Sequence, residues 1–515
     1  MYLTAMRYIT GTDRTQAVLF PQSLDEIIDG ENEVRLLDLF VESLDLSTFS
    51  FHLKGSEEGR PAYHPKDLLK LYVYGYLNSV RSSRALEKEC KRNIEVMWLL
   101  HGLAPDHNTI SNFRRDNEKA IRKVFRRTVS IAKDFELIGG KLIAGDSTKL
   151  RAQNSKKNNF NEDKINQHLD YIEKRLDEYN QALNKADSEE SKKVIQQHID
   201  KQNDRKEKYN GLSEQLYESG ETQISTSDPE SRQLMIRNRI TEVAYNVQTT
   251  VDEKQKITLD YKVTNQNDSK ALSGMLRRAK VILGHAHFTA LYDKGYHRGS
   301  EISKAISMGV KPMVAIPGVA SFAPDERYNV EHFVYDPDAD SYTCPEGKVL
   351  YTNGRWYVKS DHGYVVKHYK TPKCKGCPAF ARCTRNKLGR LIERSEHQEA
   401  VDENKRNIER DPSTYKKRQA IIEHTYGTIK RQWAFSYICT KRGLKRASAD
   451  VGLMFTAYNL RRLMNSTCKN VLKAYLEKLV DLCITITASP KSFSVPLLQA
   501  IFTSLFYLPR KRAAA

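Results

Sequence analysis

Lys141–Asp146 reads KLIAGD and His287–Asp293 reads HFTALYD. Each is a short apolar run ending on a carboxylate, the pattern of a buried strand whose last side chain still reaches solvent. Between them, Glu242–Val251 and Lys256–Thr264 alternate or carry β-branched residues, and Asp252-Glu253-Lys254 suits the hairpin turn joining them. Asp268–Leu283 and Gly299–Met308 have helical spacing, Lys311–Ile316 reads as another strand, and Tyr415–Trp433 as a long helix. In chain order this is strand, strand, strand, helix, strand, helix, strand, helix, so a mixed α/β core is expected over residues 136–318 and 411–466.

Two insertions interrupt that series. Ile165, Leu169, Ile172, Leu176, Tyr179 and Leu183 follow one another at spacings of four and three, a heptad seam, and a weaker helical pattern returns with Ile195, Ile199, Tyr209, Leu212 and Leu216. Residues 155–230 are therefore expected to hold an antiparallel helical hairpin. The second insertion, 319–410, contains Cys344, the knuckle Cys374-Lys-Gly-Cys377 and Cys383. Four thiolates, two of them in a CxxC turn, suit a closed tetrahedral zinc site, with iron–sulfur ligation as the alternative. Nearby Lys367, Lys370, Lys373 and Lys375 point to contact with a polyanion.

The chain has 515 residues and a net charge of +19, unevenly spread. Residues 1–59 carry 4 basic and 11 acidic side chains, residues 60–127 carry 15 and 7, and residues 411–446 carry 9 and 2. Two separated basic blocks suit a polyanionic partner held in more than one place. Residues 1–59 read as an acidic helical leader ending at Gly55–Gly59, and 60–135 as a helical domain. In that domain Pro65 opens one helix, Leu86–Leu100 forms a second, and Asp106-His107-Asn108 offers N-caps for a third near Thr109. The third would expose Ser111, Asn112, Arg114 and Arg115, as a helix-turn-helix reader of the major groove does. Three ordinary packed helices fit the same pattern.

Met1–Thr10 lacks the features of a secretory signal, and Val495–Pro509 is too short and too interrupted to span a bilayer. Eight cysteines in so long a chain are not a disulfide framework, so an intracellular protein with no membrane partner is expected. The tail, 467–515, shows a helical stretch from Leu472 to Leu482 and the basic run Arg510-Lys511-Arg512.

The order of core elements resembles the RNase H-like fold, in which three antiparallel strands precede two more laid parallel to the first. In such a sheet the ends of the first and fourth strands are neighbours, which would bring Asp146 beside Asp293. The helix after the fifth strand, carrying Glu423, would pack across the same edge. Hard divalent cations about 4 Å apart need anionic oxygens of this kind. The segments IAGDSTKLRAQNS, LYDKGYHRG and YKKRQAIIEHTYGTIKRQWAFS resemble the DDE transposases of bacterial insertion sequences. The likeness is to the branch with a helical N-terminal domain, the phrase AYNVQTTVD before the second carboxylate, and a cysteine-bearing insert. It spans about 60–466.

The resemblance implies that Asp146, Asp293 and Glu423 are catalytic and hold two Mg²⁺ or Mn²⁺ ions. It implies binding of double-stranded element ends and target DNA, a homodimer on DNA, and a place in the bacterial cytoplasm with the nucleoid. The family signature of tyrosine, arginine, glutamate and lysine falls on Tyr415, Arg418, Glu423 and Lys430, with four residues rather than three between Arg418 and Glu423. On a straight helix Lys430 would share the face of Glu423, about 10 Å along, while Arg418 would sit ~140° round. Lys430 would then be the stronger phosphate ligand. Trp433 is expected to stack on an unpaired base, or else to lie in the core. Ser147, Thr148, Lys149 and Lys294 flank the two aspartates and fit either a phosphate contact or solvent. A nuclease that cuts without joining, and a catalytically silent DNA-binding regulator, are the alternatives.

Overall fold

The computed structural model describes residues 23–51, 61–237, 240–318, 323–359 and 363–488. The expected loop Gly55–Gly59, the first 22 residues, Val495–Pro509 and Arg510-Lys511-Arg512 lie outside the described residues. The chain divides into two units, one of residues up to Phe113 together with those from Thr467 on, the other of Arg114–Ser466.

In the first unit, helices α1 (Glu33–Glu42), α2 (Pro65–Leu77), α3 (Ser83–Arg92), α4 (Ile94–Leu99) and α5 (His107–Asp116) follow one another, and a further helix spans Lys469–Ala488. Pro65 begins α2 after His64, whose ring accepts the Lys66 N–H at 3.3 Å. Helix α2 is buried on nearly every side, and the Tyr72 hydroxyl donates to the Ile110 carbonyl at 2.7 Å. The stretch expected as one helix from Leu86 to Leu100 is two, because the Asn93 side chain accepts the Glu95 N–H at 3.0 Å and starts a new helix there. Helix α1, from the acidic leader, is packed onto α2. Lys70, nearly inaccessible, pairs with Asp38 at 2.6 Å and Glu42 at 2.7 Å, and Lys66 pairs with Glu42 at 2.8 Å. A buried ammonium persists only with such partners. Leader and helices are accordingly one unit, while residues 114–135, expected among those helices, belong to the second.

The second unit is mixed α/β. Helix α6 (Glu118–Asp134) leads into β1 (Leu142–Arg151), β2 (Arg232–Arg237), β3 (Ile240–Asp252), β4 (Thr258–Thr264), β5 (Thr289–Tyr292) and β6 (Lys311–Val314). The sheet runs β4-β3-β1-β5-β6, with β2 also on β3; β1, β3 and β4 are antiparallel in turn, and β5 and β6 run parallel to β1. Strand β2 was not expected. Between β1 and β2 stand α7 (Glu162–Asn184) and α8 (Glu189–Ser219). Tyr179 stacks on His198, Lys206 meets Glu173 at 3.2 Å, and His168 stacks on Tyr209, so the two helices run antiparallel, as the heptad pattern indicates.

Helices α9 (Leu272–Leu283) and α10 (Gly299–Ser307) flank the sheet strands. Residues 323–410 contain β7 (Val334–Asp336), β8 (Ser341–Thr343) and β9 (Val349–Tyr351) in one three-stranded sheet. A second such sheet holds β10 (Trp356–Lys359), β11 (Tyr364–Tyr369) and β12 (Ile392–Ser395), and α11 (Gln398–Arg410) follows it. Helix α12 (Pro412–Tyr426) lays Ile421 and Ile422 on Leu142, Ala144, Val251, Leu291 and Met313. Helix α13 (Leu444–Ser466) is buried along most of its length. Among the described residues, no helix is long and apolar enough to cross a membrane.

Candidate active site

Strand β1 does not end at Asp146. It continues to Arg151 because β3 pairs with it from Ile143 to Arg151, whereas the parallel neighbour β5 pairs only with Leu142, Ile143 and Ala144. Asp146 therefore stands just beyond the reach of β5 while its backbone is still held by Thr249 across the antiparallel ladder. Ala144 is opposite Leu291 in the parallel pair. Two residues further along each strand, with the side chains returning to the same face, come Asp146 and Asp293. Ala144 and Leu291 both face Ile421 and Ile422, so that face is the one α12 covers. Asp293 follows β5 directly and its carboxylate accepts the Gly295 N–H at 2.9 Å, which fixes the turn.

Close packing makes this juncture rigid. A Cβ on Gly145 would lie 2.1 Å from the Tyr292 ring, so only glycine lets that ring cross β1 beside Asp146. On the other face the Tyr426 hydroxyl lies 3.1 Å from the Asp146 carbonyl and 2.7 Å from the Thr249 hydroxyl. Burial pushes the Asp146 carboxyl above its usual range, and the charge of Asp293 adds to the rise. Arg418 and the Ser147 N–H oppose it.

Helix α12 brings the signature residues here unevenly. Arg418, expected to face partly away, donates Nη1 to Asp146 Oδ2 at 3.1 Å, and Tyr415 donates to the Tyr292 carbonyl at 3.1 Å. Glu423 is exposed and accepts from Gln419 at 2.8 Å. The helix does not continue straight to Trp433. At Gly427 it passes into a π-helical turn, Gly427–Gln432, so the straight-helix relation between Glu423 and Lys430 fails. Lys430 donates Nζ to the Thr148 hydroxyl at 3.0 Å, one alternation along β1 from Asp146. Trp433 is buried against Phe435 and offers no free face to a base, which corrects the stacking expectation. Arg114 is likewise buried, with Nη1 3.4 Å from Asp450, so it is no surface contact; Asn112 is exposed, and Arg115 pairs with Asp116 at 2.6 Å.

Sequence reasoning overlooked Asp268, which lies within the same network. It accepts from Asn246 at 2.7 Å, Gln248 at 2.6 Å and Lys149 at 3.1 Å. Only its place in the expected helix Asp268–Leu283 was legible, since its partners are remote in the chain.

The four cysteines of the insertion line one cavity of about 20 Å³, together with Tyr328, Phe333, Phe380 and Arg390. The Lys348 N–H points at Cys344 Sγ at 3.3 Å, and the Cys377 N–H closes the CxxC turn on the Cys374 carbonyl at 3.1 Å. Burial raises the Cys383 thiol; Arg390 lowers it, and the three other thiols raise it further. Among the described residues, no three His, Cys, Asp or Glu side chains are set to hold a metal ion.

Two family models match the chain. Residues 22–116 match the transposase domain (DUF772), and residues 343–464, which include Glu423, match the transposase DDE domain. Both matched segments are thus similar to transposase domains, and together they support a DDE transposase of insertion-sequence type. The first match ends close to the boundary of the first unit at Phe113, and the second joins the cysteine-bearing insertion to α12 and α13. A search of curated proteins gave no significant match. Among solved structures, a cryo-EM structure of the piggyBac transposase synaptic complex with hairpin DNA aligns over 93% of this chain and 86% of that one. Its identity is 9% and its TM-score 0.29, a likeness too slight to carry any argument.

Proposed function

We propose that the chain is a transposase that binds the ends of an insertion sequence, cuts DNA there by phosphodiester hydrolysis, and joins the freed 3′ hydroxyls to target DNA. The observation that supports this most is the shared register of Asp146 and Asp293 on neighbouring parallel strands, beneath the helix that carries Glu423. The strand order and directions fit an RNase H-like core.

The residues suit Mg²⁺ or Mn²⁺ in the chemistry of their donors, which are hard carboxylate oxygens, and a cationic group already lies against one of them, Arg418 on Asp146. Glu423 would join them by turning from Gln419. Bound there, two such ions would activate a water or a 3′ hydroxyl and stabilise the leaving oxygen. The chain's own contribution is placement. Burial under α12 keeps solvent from the floor of the site, and the Gly145–Tyr292 contact fixes the strand bearing Asp146. Arg418, Tyr415 and Lys430 form a polar rim to receive the backbone phosphates of the cut strand. Asn112 and Arg115 on α5 are proposed as contacts to the element end, and a homodimer would pair two ends. The protein would act on DNA in the bacterial cytoplasm.

In the insertion, 319–410, we read the four thiols as a structural zinc site. All four thiols line the same small cavity, which is the observation that supports this reading.

The test is a supercoiled plasmid carrying the DNA that flanks the gene on both sides, incubated with the chain in Mg²⁺ or Mn²⁺. Nicks at the element ends with 3′ hydroxyls, followed by joined products, are expected. Cutting without joining would make it a nuclease, and end binding without cutting a regulator.

The rim makes a separate prediction. Because Arg418 touches Asp146 itself while Lys430 bonds Thr148, Arg418→Ala should slow cleavage more than Lys430→Ala does. Loss of one charge-assisted contact is worth roughly 1.5–3 kcal/mol, on the order of tenfold to a hundredfold. Cleavage rates of both variants at two salt concentrations check it; a larger defect for Lys430→Ala would return the dominant role to the lysine.

A further inference from the structure

Asp268 follows β4 and opens a short helical turn, Asp268–Lys270. Its side chain is 17% exposed, yet three donors converge on it. Oδ1 takes the amide hydrogens of Asn246 and Gln248, at 2.7 Å and 2.6 Å, and Oδ2 takes Lys149 Nζ at 3.1 Å. Lys149 also donates to Ser147 Oγ at 2.8 Å, which ties this acid to the residue beside Asp146. Burial alone would raise the Asp268 carboxyl, but Lys149, Asn246 and Ser147 outweigh it and hold it below its ordinary range.

The same carboxylate abuts the turn that carries Asp293. A Cβ on Gly295 would stand 3.6 Å from Asp268 Oδ2 and 3.1 Å from Asp293 Oδ1, so this glycine is the thin wall between the two acids. Tyr296, buried in the same turn, donates its hydroxyl to the Gln248 carbonyl oxygen, while the Gln248 amide nitrogen donates to Asp268. A chain of hydrogen bonds thus runs from Asp268 through Gln248 to Tyr296, three residues past Asp293. In it Gln248 can face only one way, because its oxygen must accept and its nitrogen must donate.

We infer that Asp268 is a positioning residue for the catalytic centre, fixing the Asp293 turn through Gln248 and Tyr296 and anchoring the Lys149 side chain of β1. The inference rests on the reading of Asp146 and Asp293 as metal ligands. An asparagine at 268 would present a donor where three donors already point. Tightly held ligands behind which a hydrogen-bonded partner is removed lose about tenfold to a hundredfold in metal affinity or activity.

The experiment follows Mn²⁺ binding by electron paramagnetic resonance on the full chain with element-end DNA, beside the Mn²⁺ concentration that half-saturates cleavage. For Asp268→Asn, both should shift about tenfold or more toward weaker binding, with DNA affinity unchanged. The swap Asp268→Asn with Gln248→Glu restores one donor–acceptor pair and should recover much of the shift. A purely structural role would lower the amount of folded protein and leave the half-saturating Mn²⁺ concentration unmoved; that result overturns the inference. If Asp268→Asn does not fold, Tyr296→Phe, which removes only the hydroxyl link, should give a smaller shift in the same direction, and no shift would again overturn it. Loss of Mn²⁺ dependence in the wild-type chain would instead count against the reading of the site itself.

Discussion

Asp146→Asn, Asp293→Asn and Glu423→Gln should each slow strand cleavage by about a thousandfold or more, equivalent to ~4 kcal/mol of barrier, while DNA binding in Ca²⁺ stays close to wild type. Each change removes one negative charge and almost no volume. The three should differ in their side effects. Glu423 is exposed and accepts from Gln419 on its own helix, so Glu423→Gln should melt like the wild type. Asp146→Asn leaves Arg418 without its carboxylate partner in a half-buried setting, so that variant should lose some stability as well. Strand-cleavage assays beside gel shifts and thermal melts separate these effects. Any one variant cutting at near wild-type rate would remove that residue from the centre.

The second large effect is expected in the insertion. Purified protein should contain about one zinc per chain. The double substitution Cys374→Ser/Cys377→Ser should release it. Apparent zinc binding in small structural sites amounts to about 10–16 kcal/mol, and that energy is folding energy. The five strands β7, β8, β9, β10 and β12 have only three or four residues each, and the apolar cluster of Phe333, Tyr342, Leu350, Tyr369 and Ile392 is small. Loss of the metal should therefore open the insertion to proteolysis before β1 and its neighbours in the main sheet are cut. Zinc retained by the double variant would refute the assignment.

Much of this architecture was legible because apolar periodicity reports burial. The strands over Glu242–Val251 and Lys256–Thr264 emerged almost as read, and the heptad seam from Ile165 to Leu183 marked a real hairpin. Asp146 was read as a strand end because Ser147–Arg151 is largely polar. That polarity reflects where β5 stops, not where β1 does, and only the pairing with β3 reveals the difference. The geometry of α12 was misjudged for a local reason: nothing in periodicity announces a π-helical turn, yet the one at Gly427 changes which residues line the face of Glu423. Trp433 and Arg114 looked like surface contacts by residue type, and burial against Phe435 and pairing with Asp450 are tertiary facts. Asp268 was illegible for the same reason, since Lys149, Asn246 and Gln248 lie 20 or more residues away. The short strands around the cysteines are too brief and too mixed in polarity to stand out.

The central claim is that Asp146, Asp293 and Glu423 hold the divalent ions that cut DNA. Iron-directed backbone cleavage tests it most directly: Fe²⁺ replaces the ions in the DNA-bound chain, ascorbate and peroxide are added, and the fragments are mapped by mass spectrometry. Hydroxyl radicals formed at the bound iron cut the nearest backbone. The account predicts three clusters of cuts, beside Asp146, beside Asp293 and beside Glu423, all suppressed by excess Mg²⁺ and absent from Asp146→Asn. Cuts confined to other segments, or a pattern that Asp146→Asn leaves intact, would contradict it.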